Sequence, residues 1–303
     1  MSSFSPKRIA RRYMSRNLYS RLAKVYNPIL GFAASIIYMP LSLVPAGLLV
    51  RVKERLRIKE KLDYSRDNVF LNVESLFEHK VRLNSCSKEP ETVEWIEKFV
   101  APGDVVYDVG ANVGAYSLII DRHTRGTAKV VAFEPSFSNF AQLCNNIKLN
   151  SCGRSIVPLY VALSNTTGVF EFNYTSTLPG HALHALGKSL NQKGDAFSPE
   201  FSLQMLSYRM DDLVEIFRLP KPNHIKLDVD GIEHDILLGA CGCLSAPSMK
   251  SICVEIEPTM ESAQRILGLL ARCGFRKWCE RSHGTGSDTT NCIFVRDGFA
   301  PRV

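Results

Sequence analysis

Residues 106–117 read VYDVGANVGAYS. A run of strand-forming residues meets an acid at Asp108, glycines stand at Gly110 and Gly114, and helix-compatible residues follow. Strand, tight glycine turn and helix in that order open a βαβ unit, whose next strand must return parallel to the first. Glycine in such a turn lets the backbone come close to a ligand with no Cβ in the way. A chain built around this element is constrained to an open, mostly parallel sheet covered by helices on both faces. Its ligand crevice then lies at the carboxyl ends of the strands.

The chain downstream of residue 100 keeps the same alternation. KVVAF (129–133), SIVPLYVAL (155–163), HIKLDV (224–229) and SICVEIE (251–257) read as buried strands. SFSNFAQLCNNIKLN, IEHDILLGA (232–240) and ESAQRILGLLARCGF read as helices, the last ended by Gly274. FRKWCE and NCIFVR form a terminal hairpin in this reading. Residues 164–212 break the pattern, and their polar, histidine-containing GHALHALG suggests an insertion covering a site.

The turn itself narrows the ligand. It lacks the third glycine of G-x-G-x-x-G and the Gly-Lys-Ser/Thr of a phosphate loop. Asp108 at its head would repel a phosphate but suits an ammonium group. Glu134 ends the second strand in AFEP, where a carboxylate can accept hydrogen bonds from both ribose hydroxyls. A ligand with a ribose, an ammonium-bearing tail and no phosphate is S-adenosylmethionine. The plainer alternative is a tight turn and a strand-end acid with no ligand. A third group of residues lies in IKLDVDGIEHDILLGA: Asp228 and Asp230 at a strand end, then Glu233 and His234 at the start of a helix. The Asp230–Glu233 spacing also fits a helix capping box.

VYDVGANVGAYSL, AFEPSFSNF, ALSNTTG and IKLDVDGIEHDILLGA, in this order, resemble the FkbM family of methyltransferases over about residues 70–300, with KEPETVEWIEKFVAPGD (88–104) resembling the segment before the first strand. The resemblance implies a Rossmann-like class I methyltransferase fold, with a mostly parallel seven-stranded sheet ending in an antiparallel hairpin. It implies methyl transfer from S-adenosyl-L-methionine to an oxygen, often a sugar or polyketide hydroxyl. Position by position, it implies that Asp108, Gly110, Asn112 and Gly114 cradle the methionine part and Glu134 holds the ribose. Ala162, Leu163 and Ser164 would lie near the adenine, and Asp228 would border the reacting centre. Many relatives read D-V-E-G where this chain has Asp228-Val229-Asp230-Gly231, so the second carboxylate reaches one methylene less far.

A hydroxyl acceptor needs a base close by. Asp230 with Glu233 is the favoured pair, ahead of His234 and of His181 and His184 in the insertion. No histidine-rich set suggests a metal ligand cluster. The absence of an Asn-Pro-Pro-Tyr-type motif disfavours methylation of an exocyclic base or amide nitrogen.

Charge places the remaining expectations. The first 24 residues carry seven basic side chains and no acid, and the rest of the chain has equal numbers of acidic and basic residues. A neutral body argues against a nucleic-acid substrate. The basic arm, the uncharged run Val25–Val50 and the basic cluster from Arg51 point to an anionic membrane surface on the cytoplasmic side. Pro28, Pro40 and Pro45 argue against one straight spanning helix, and a monotopic or re-entrant segment fits better. A helical extension packed on the body and a transit peptide are the other readings. Nine scattered cysteines without a C-x-x-C pair suit reduced thiols. The chain thus divides at about residue 58 into an N-terminal extension (1–58) and a methyltransferase-like domain (59–303). The alternative from another class is a non-catalytic, cofactor-binding scaffold in a membrane-associated glycan-synthesis complex.

Overall fold

The computed structural model describes residues 43–190, 195–257, 261–282 and 289–300. The chain divides into two compact units between Arg57 and Ile58. In the first, the described residues form helix α1 (Ala46–Arg55), with Leu48 and Val50 exposed and basic residues in its last turn. The basic arm and residues 25–42 of the uncharged run lie outside the described residues. Among those described, no helix is long and apolar enough to cross a membrane.

The second unit opens with the antiparallel pair β1 (Lys59–Lys61) and β2 (Phe70–Asn72), followed by α2 (Leu76–Lys80), single helical turns over 82–88, and α3 (Pro90–Phe99). Ser75 and Glu78 form a capping box at the start of α2. Proline at the first turn of α3 supplies a preset φ where its missing N–H is not needed, and Trp95, Ile96 and Phe99 bury one face. Next come β3 (Val105–Val109), α4 (Ala115–His123), β4 (Lys129–Phe133), α5 (Phe137–Asn150), β5 (Ile156–Leu159) and β6 (Ala162–Leu163). The insertion contributes β7 (Gly168–Tyr174), β8 (Ala185–Leu186) and β9 (Phe201–Tyr208), and α6 (Met210–Phe217) leads into β10 (His224–Leu227). Then follow α7 (Glu233–Leu238), a helical turn over 241–244, β11 (Ser251–Ile256), α8 (Glu261–Arg272), β12 (Phe275–Ser282) and β13 (Thr290–Arg296).

The main sheet has seven strands in the order β12-β13-β11-β10-β3-β4-β5, parallel except for β13, which runs antiparallel to both β11 and β12. This is the Rossmann-like arrangement with a terminal hairpin that the sequence implies. Both faces of the inner strands β3 and β4 are buried and apolar at most positions, whereas the edge strand β12 exposes Arg276, Lys277 and Glu280. Val106 and Val130 join the core under α3, α4 and α5, whereas Tyr107, Val109, Val131 and Phe133 join the core under α7 and α8.

Two details depart from the sequence reading. SIVPLYVAL is not one strand. It turns at Tyr160, where Val161 N–H bonds back to the carbonyl of Leu159, and Ala162–Leu163 pairs with β9 instead. The insertion, to which the sequence reading gave no strands, supplies β7, β8 and β9, which join β6 in a second, four-stranded sheet.

From β3 the chain winds through α4 to β4 on one side, and from β10 it winds through α7 to β11 on the other. The crevice between the carboxyl ends of β3 and β10 is therefore the topological switch point, where open α/β sheets take their ligands.

Candidate active site

The turn after β3 is shaped by its neighbours. Gly110 has φ +78°, and a Cβ built on it would sit 2.0 Å from the carbonyl oxygen of Asp228. Gly114 has φ +88° and abuts Leu143, and Asn112 between them also takes a left-handed φ of +51°. The amides of Gly110 and Ala111 both donate to the carbonyl of Phe133. Glu134 then ties the turn to the next strand, accepting from Asn112 N–H at 2.7 Å and from Ser136 N–H at 2.8 Å. Burial pushes its carboxyl up to about 7, against the pull of those two amides.

Gly110, Asn112 and Glu134 share the wall of one cavity of about 640 Å³ with Ala162, Leu163, Asp228 and Asp230. That volume lies within the range of roughly 300–1,000 Å³ for small-molecule sites. Asp108 lies off this wall. It is fully buried behind the turn, accepting from Ser117 Oγ at 2.6 Å, with Lys226 Nζ 4.0 Å from its other oxygen. The strand pleat is the reason: Asp108 points to the α4 side, so it braces the turn from behind. Gly114 and Ser164 also stand back from the cavity, Ser164 bonded to Thr166.

The strand-end acids differ from one another. Asp228 accepts from Lys226 Nζ at 2.8 Å. Lys226 is 2% exposed and lies 4.9 Å from the centre of the Tyr116 ring. Burial works against ionisation of Asp228, and the charges of Lys226 and Lys88 overcome it and hold its carboxyl well below the usual range. For Asp230 the balance tips the other way. Burial, and then the negative charge of Asp228, push its carboxyl up to about 7.

Glu233 is not in this cavity. It accepts from Gly231 N–H at 3.2 Å and faces a small separate space beside Glu255 and Ser262. The capping box between Asp230 and Glu233 is also absent, because Ile232 occupies the N-cap and Asp230 instead accepts the N–H of Leu183. His234 is half-buried beside Asp235 and away from the wall.

Residues 179–184 of the insertion cross the cavity as a strap. Ser75 Oγ donates to the carbonyl of Pro179, Arg82 Nε to that of Gly180, and the side-chain amides of Asn112 and Asn139 to that of His181. The His181 ring stacks on Phe77 at 4.5 Å. Leu183 is held at φ +64°, a costly conformation for a side chain with a Cβ. Beyond it, His184 Nδ1 lies 3.3 Å from both the N–H and the Oγ1 of Thr175. Burial, then His181 and Arg82, push His184 down to about 4, so the ring is neutral near pH 7. Its buried Nε2 has no partner among the described residues.

The sequence reading missed Phe77, Arg82, Lys88, Asn139 and Lys226. Only Lys226 had a usable signal, standing two positions before Asp228 on one strand and therefore on the same face. Lys88 and Asn139 lie inside the family-like stretches KEPETVEWIEKFVAPGD and AFEPSFSNF without a signal of their own, and Phe77 and Arg82 come from a segment with no motif.

A family model for the methyltransferase FkbM domain matches residues 108–277. Among curated proteins, the hexuronic acid methyltransferase AglP of Haloferax volcanii is 29% identical over 175 residues, covering 58% of this chain and 65% of that protein. Methyltransferase sdnD of Sordaria araneosa is 29% identical over 157 residues, covering 44% of this chain and 59% of that protein. The chain thus spans less than two thirds of the length of either relative. Among solved structures, the methyltransferase FkbM from Methylobacillus flagellatus has a TM-score of 0.47 at 15% identity, covering 65% of this chain and 44% of that one. The matched span runs from Asp108 in the glycine turn to Lys277 in the terminal hairpin, more than half of the chain, and the protein belongs to the FkbM methyltransferase family.

Proposed function

We propose that the protein transfers a methyl group from S-adenosylmethionine to a hydroxyl oxygen of a sugar or a related metabolite. The observation that carries this is the pairing of two acids on one cavity wall: Asp228 held ionised by Lys226, and Asp230 poised to gain or lose a proton near pH 7.

The cavity suits the cofactor. Gly110 leaves no room for a side chain, so a ligand there meets backbone. Glu134 offers carboxylate oxygens for a ribose, and Ala162 and Leu163 offer an apolar wall for an adenine. The buried Nε2 of His184, without a partner among the described residues, is a polar atom that a ligand heterocycle would satisfy. Gly110 and Asn112 would hold the methionine part, with Gly114 and Asp108 bracing the turn from behind. The cofactor, when bound, supplies a methyl already electrophilic on a sulfonium. What remains for the protein is alignment, exclusion of water and removal of one proton. Asp228 places fixed negative charge beside the cationic ligand. Asp230 takes the hydroxyl proton. The strap roofs the cavity over both. A sugar acceptor is supported by the curated relative named for a hexuronic acid.

Calorimetry and isotope transfer test the reading. The protein should bind S-adenosylhomocysteine and not NAD, and should carry labelled methyl onto a hydroxyl in a panel of glycosides. Glu134→Gln should weaken S-adenosylhomocysteine by about 1.5–3 kcal/mol, the range for a hydrogen bond to a charged group. Tight NAD binding, or unaltered affinity in Glu134→Gln, would overturn the cofactor assignment.

Residues 1–58 fit attachment to the cytoplasmic face of a membrane. Supporting this are the acid-free basic arm, the uncharged run and α1, whose exposed Leu48 and Val50 accompany Arg51, Lys53 and Arg55. Each cationic side chain near an anionic surface contributes about 1 kcal/mol, and an apolar segment adds the second signal that stable anchoring needs. The full chain should pellet with membranes and resist extraction by high salt, while a form beginning at Ile58 stays in the supernatant. A full chain found wholly in the supernatant would refute the attachment.

A further inference from the structure

Arg82 is a cation the proposed reaction does not use. It follows α2 directly and stands in the cavity wall, half-buried. Its Nε donates to the carbonyl of Gly180 at 2.7 Å, and its guanidinium carbon lies 5.5 Å from the centre of the Phe77 ring. It makes no ion pair with a carboxylate among the described residues. Among the other cations near the site, Lys88 pairs with Glu89 at 2.7 Å and Lys226 with Asp228 at 2.8 Å, while Lys188 stands on the cavity wall as an exposed side chain with solvent to screen it. Half-burying a guanidinium without a counter-ion is unfavourable, and such a group is a strong partner for an anion that arrives with a ligand.

The geometry is directional. With Nε committed to the strap, the two terminal nitrogens remain, and their planar fork matches the paired oxygens of a carboxylate or phosphate. The ring of Phe77 and the carbonyl of Gly180 fix the plane of the fork before any ligand binds, which lowers the ordering cost on binding. Arg82 is close enough to influence the titration of both Asp228 and Asp230. It shares the cavity wall with both, the acids at which the methyl-accepting oxygen is placed.

We propose that Arg82 anchors an oxyanion of the acceptor, so that the substrate class is an acidic sugar, one bearing a carboxylate or phosphate, and not a neutral one. This rests on the reading of the cavity as a methyltransferase site. The hydroxyl lies at Asp230 and the oxyanion at Arg82, so the fork fixes which hydroxyl reaches the base. The cofactor's own carboxylate is a competing source of the same chemistry, and the test separates the two.

The full chain, saturated with S-adenosylhomocysteine, is titrated with glucuronate, glucose 6-phosphate and glucose, for wild type, Arg82→Gln and Arg82→Lys. At least one anionic sugar should bind wild type about tenfold or more tightly than glucose, as expected for a charge-assisted pair. Arg82→Gln should abolish that preference and leave S-adenosylhomocysteine affinity within about threefold. Arg82→Lys, which keeps the charge but loses the fork, should retain only part of the preference, and it carries the test if Arg82→Gln does not fold. No anionic preference in wild type, or a preference that survives in both variants, overturns the proposal. So does a large loss of S-adenosylhomocysteine affinity in Arg82→Gln that is absent with the decarboxylated analogue, since Arg82 would then hold the cofactor. A wild-type chain that does not bind S-adenosylhomocysteine at all would instead bring down the methyltransferase reading underneath.

Discussion

Asp230→Asn should lower methyl transfer by about 100-fold or more, the usual contribution of a general base, while S-adenosylhomocysteine affinity changes little. The substitution isolates the proton-accepting role. An asparagine oxygen can still accept the N–H of Leu183, so the strap keeps its contact, and only the capacity to take a proton disappears. The pH profile gives a second measure. The folded carboxyl is raised to about 7, so Asp230 is protonated below that pH and ionised above it. Wild-type turnover should therefore rise with pH through about 7, and this limb should be missing in Asp230→Asn. Glu233→Gln should leave turnover nearly unchanged, because Glu233 faces the separate space beside Glu255. Normal turnover in Asp230→Asn would place the base elsewhere, with His181 and His184 of the strap next in line.

Gly110→Ala should eliminate cofactor binding and lower stability sharply. Its Cβ would lie 2.0 Å from the carbonyl oxygen of Asp228, an atom of the backbone at the end of β10 that cannot rotate aside. The turn must move away from β10, and Asn112 and Glu134 move with it. Gly103→Ala is the matched control: it has a φ of +84°, but nothing lies within 4 Å of the position a Cβ would take there. It bears only the left-handed backbone strain of roughly 1–2 kcal/mol, and should lower Tm by a few degrees without changing affinity. Thermal melts and calorimetry on the two variants separate strain from collision. Gly110→Ala binding S-adenosylhomocysteine within about threefold of wild type would contradict the geometry described for the turn.

The main sheet was legible because its strands carry their own signals. VVYDV and KVVAF are apolar on both faces, and α8 buries Ala263, Ile266, Leu269 and Leu270 at helical spacing. The second sheet was obscured by its chemistry. β7 and β9 leave Val169, Phe201, Leu203 and Leu206 exposed, so no clean alternation of apolar and polar residues marks them. In the site, Gly110, Asn112, Glu134, Asp228 and Asp230 come together from motif-bearing stretches. Which way Glu233 points was beyond reach, because one helical residue sets whether its side chain enters the large cavity or the small space beside it. Arg82 was beyond reach for another reason: its partners, Phe77 and Gly180, are respectively five and ninety-eight positions away, and only the folded chain brings them together.

The strap bears on how the protein could be altered by design. Six residues touch the glycine turn through Asn112, the candidate base through Leu183, and the guanidinium of Arg82 through Gly180. None of them belongs to the seven-stranded sheet. A library confined to residues 179–184 would vary the roof of the cavity while leaving its floor intact. Selection for a new acceptor should start there, at the junction that connects all three functional corners. Changes to the strap's length should shift acceptor preference and cofactor exchange together, since the same short span restrains both.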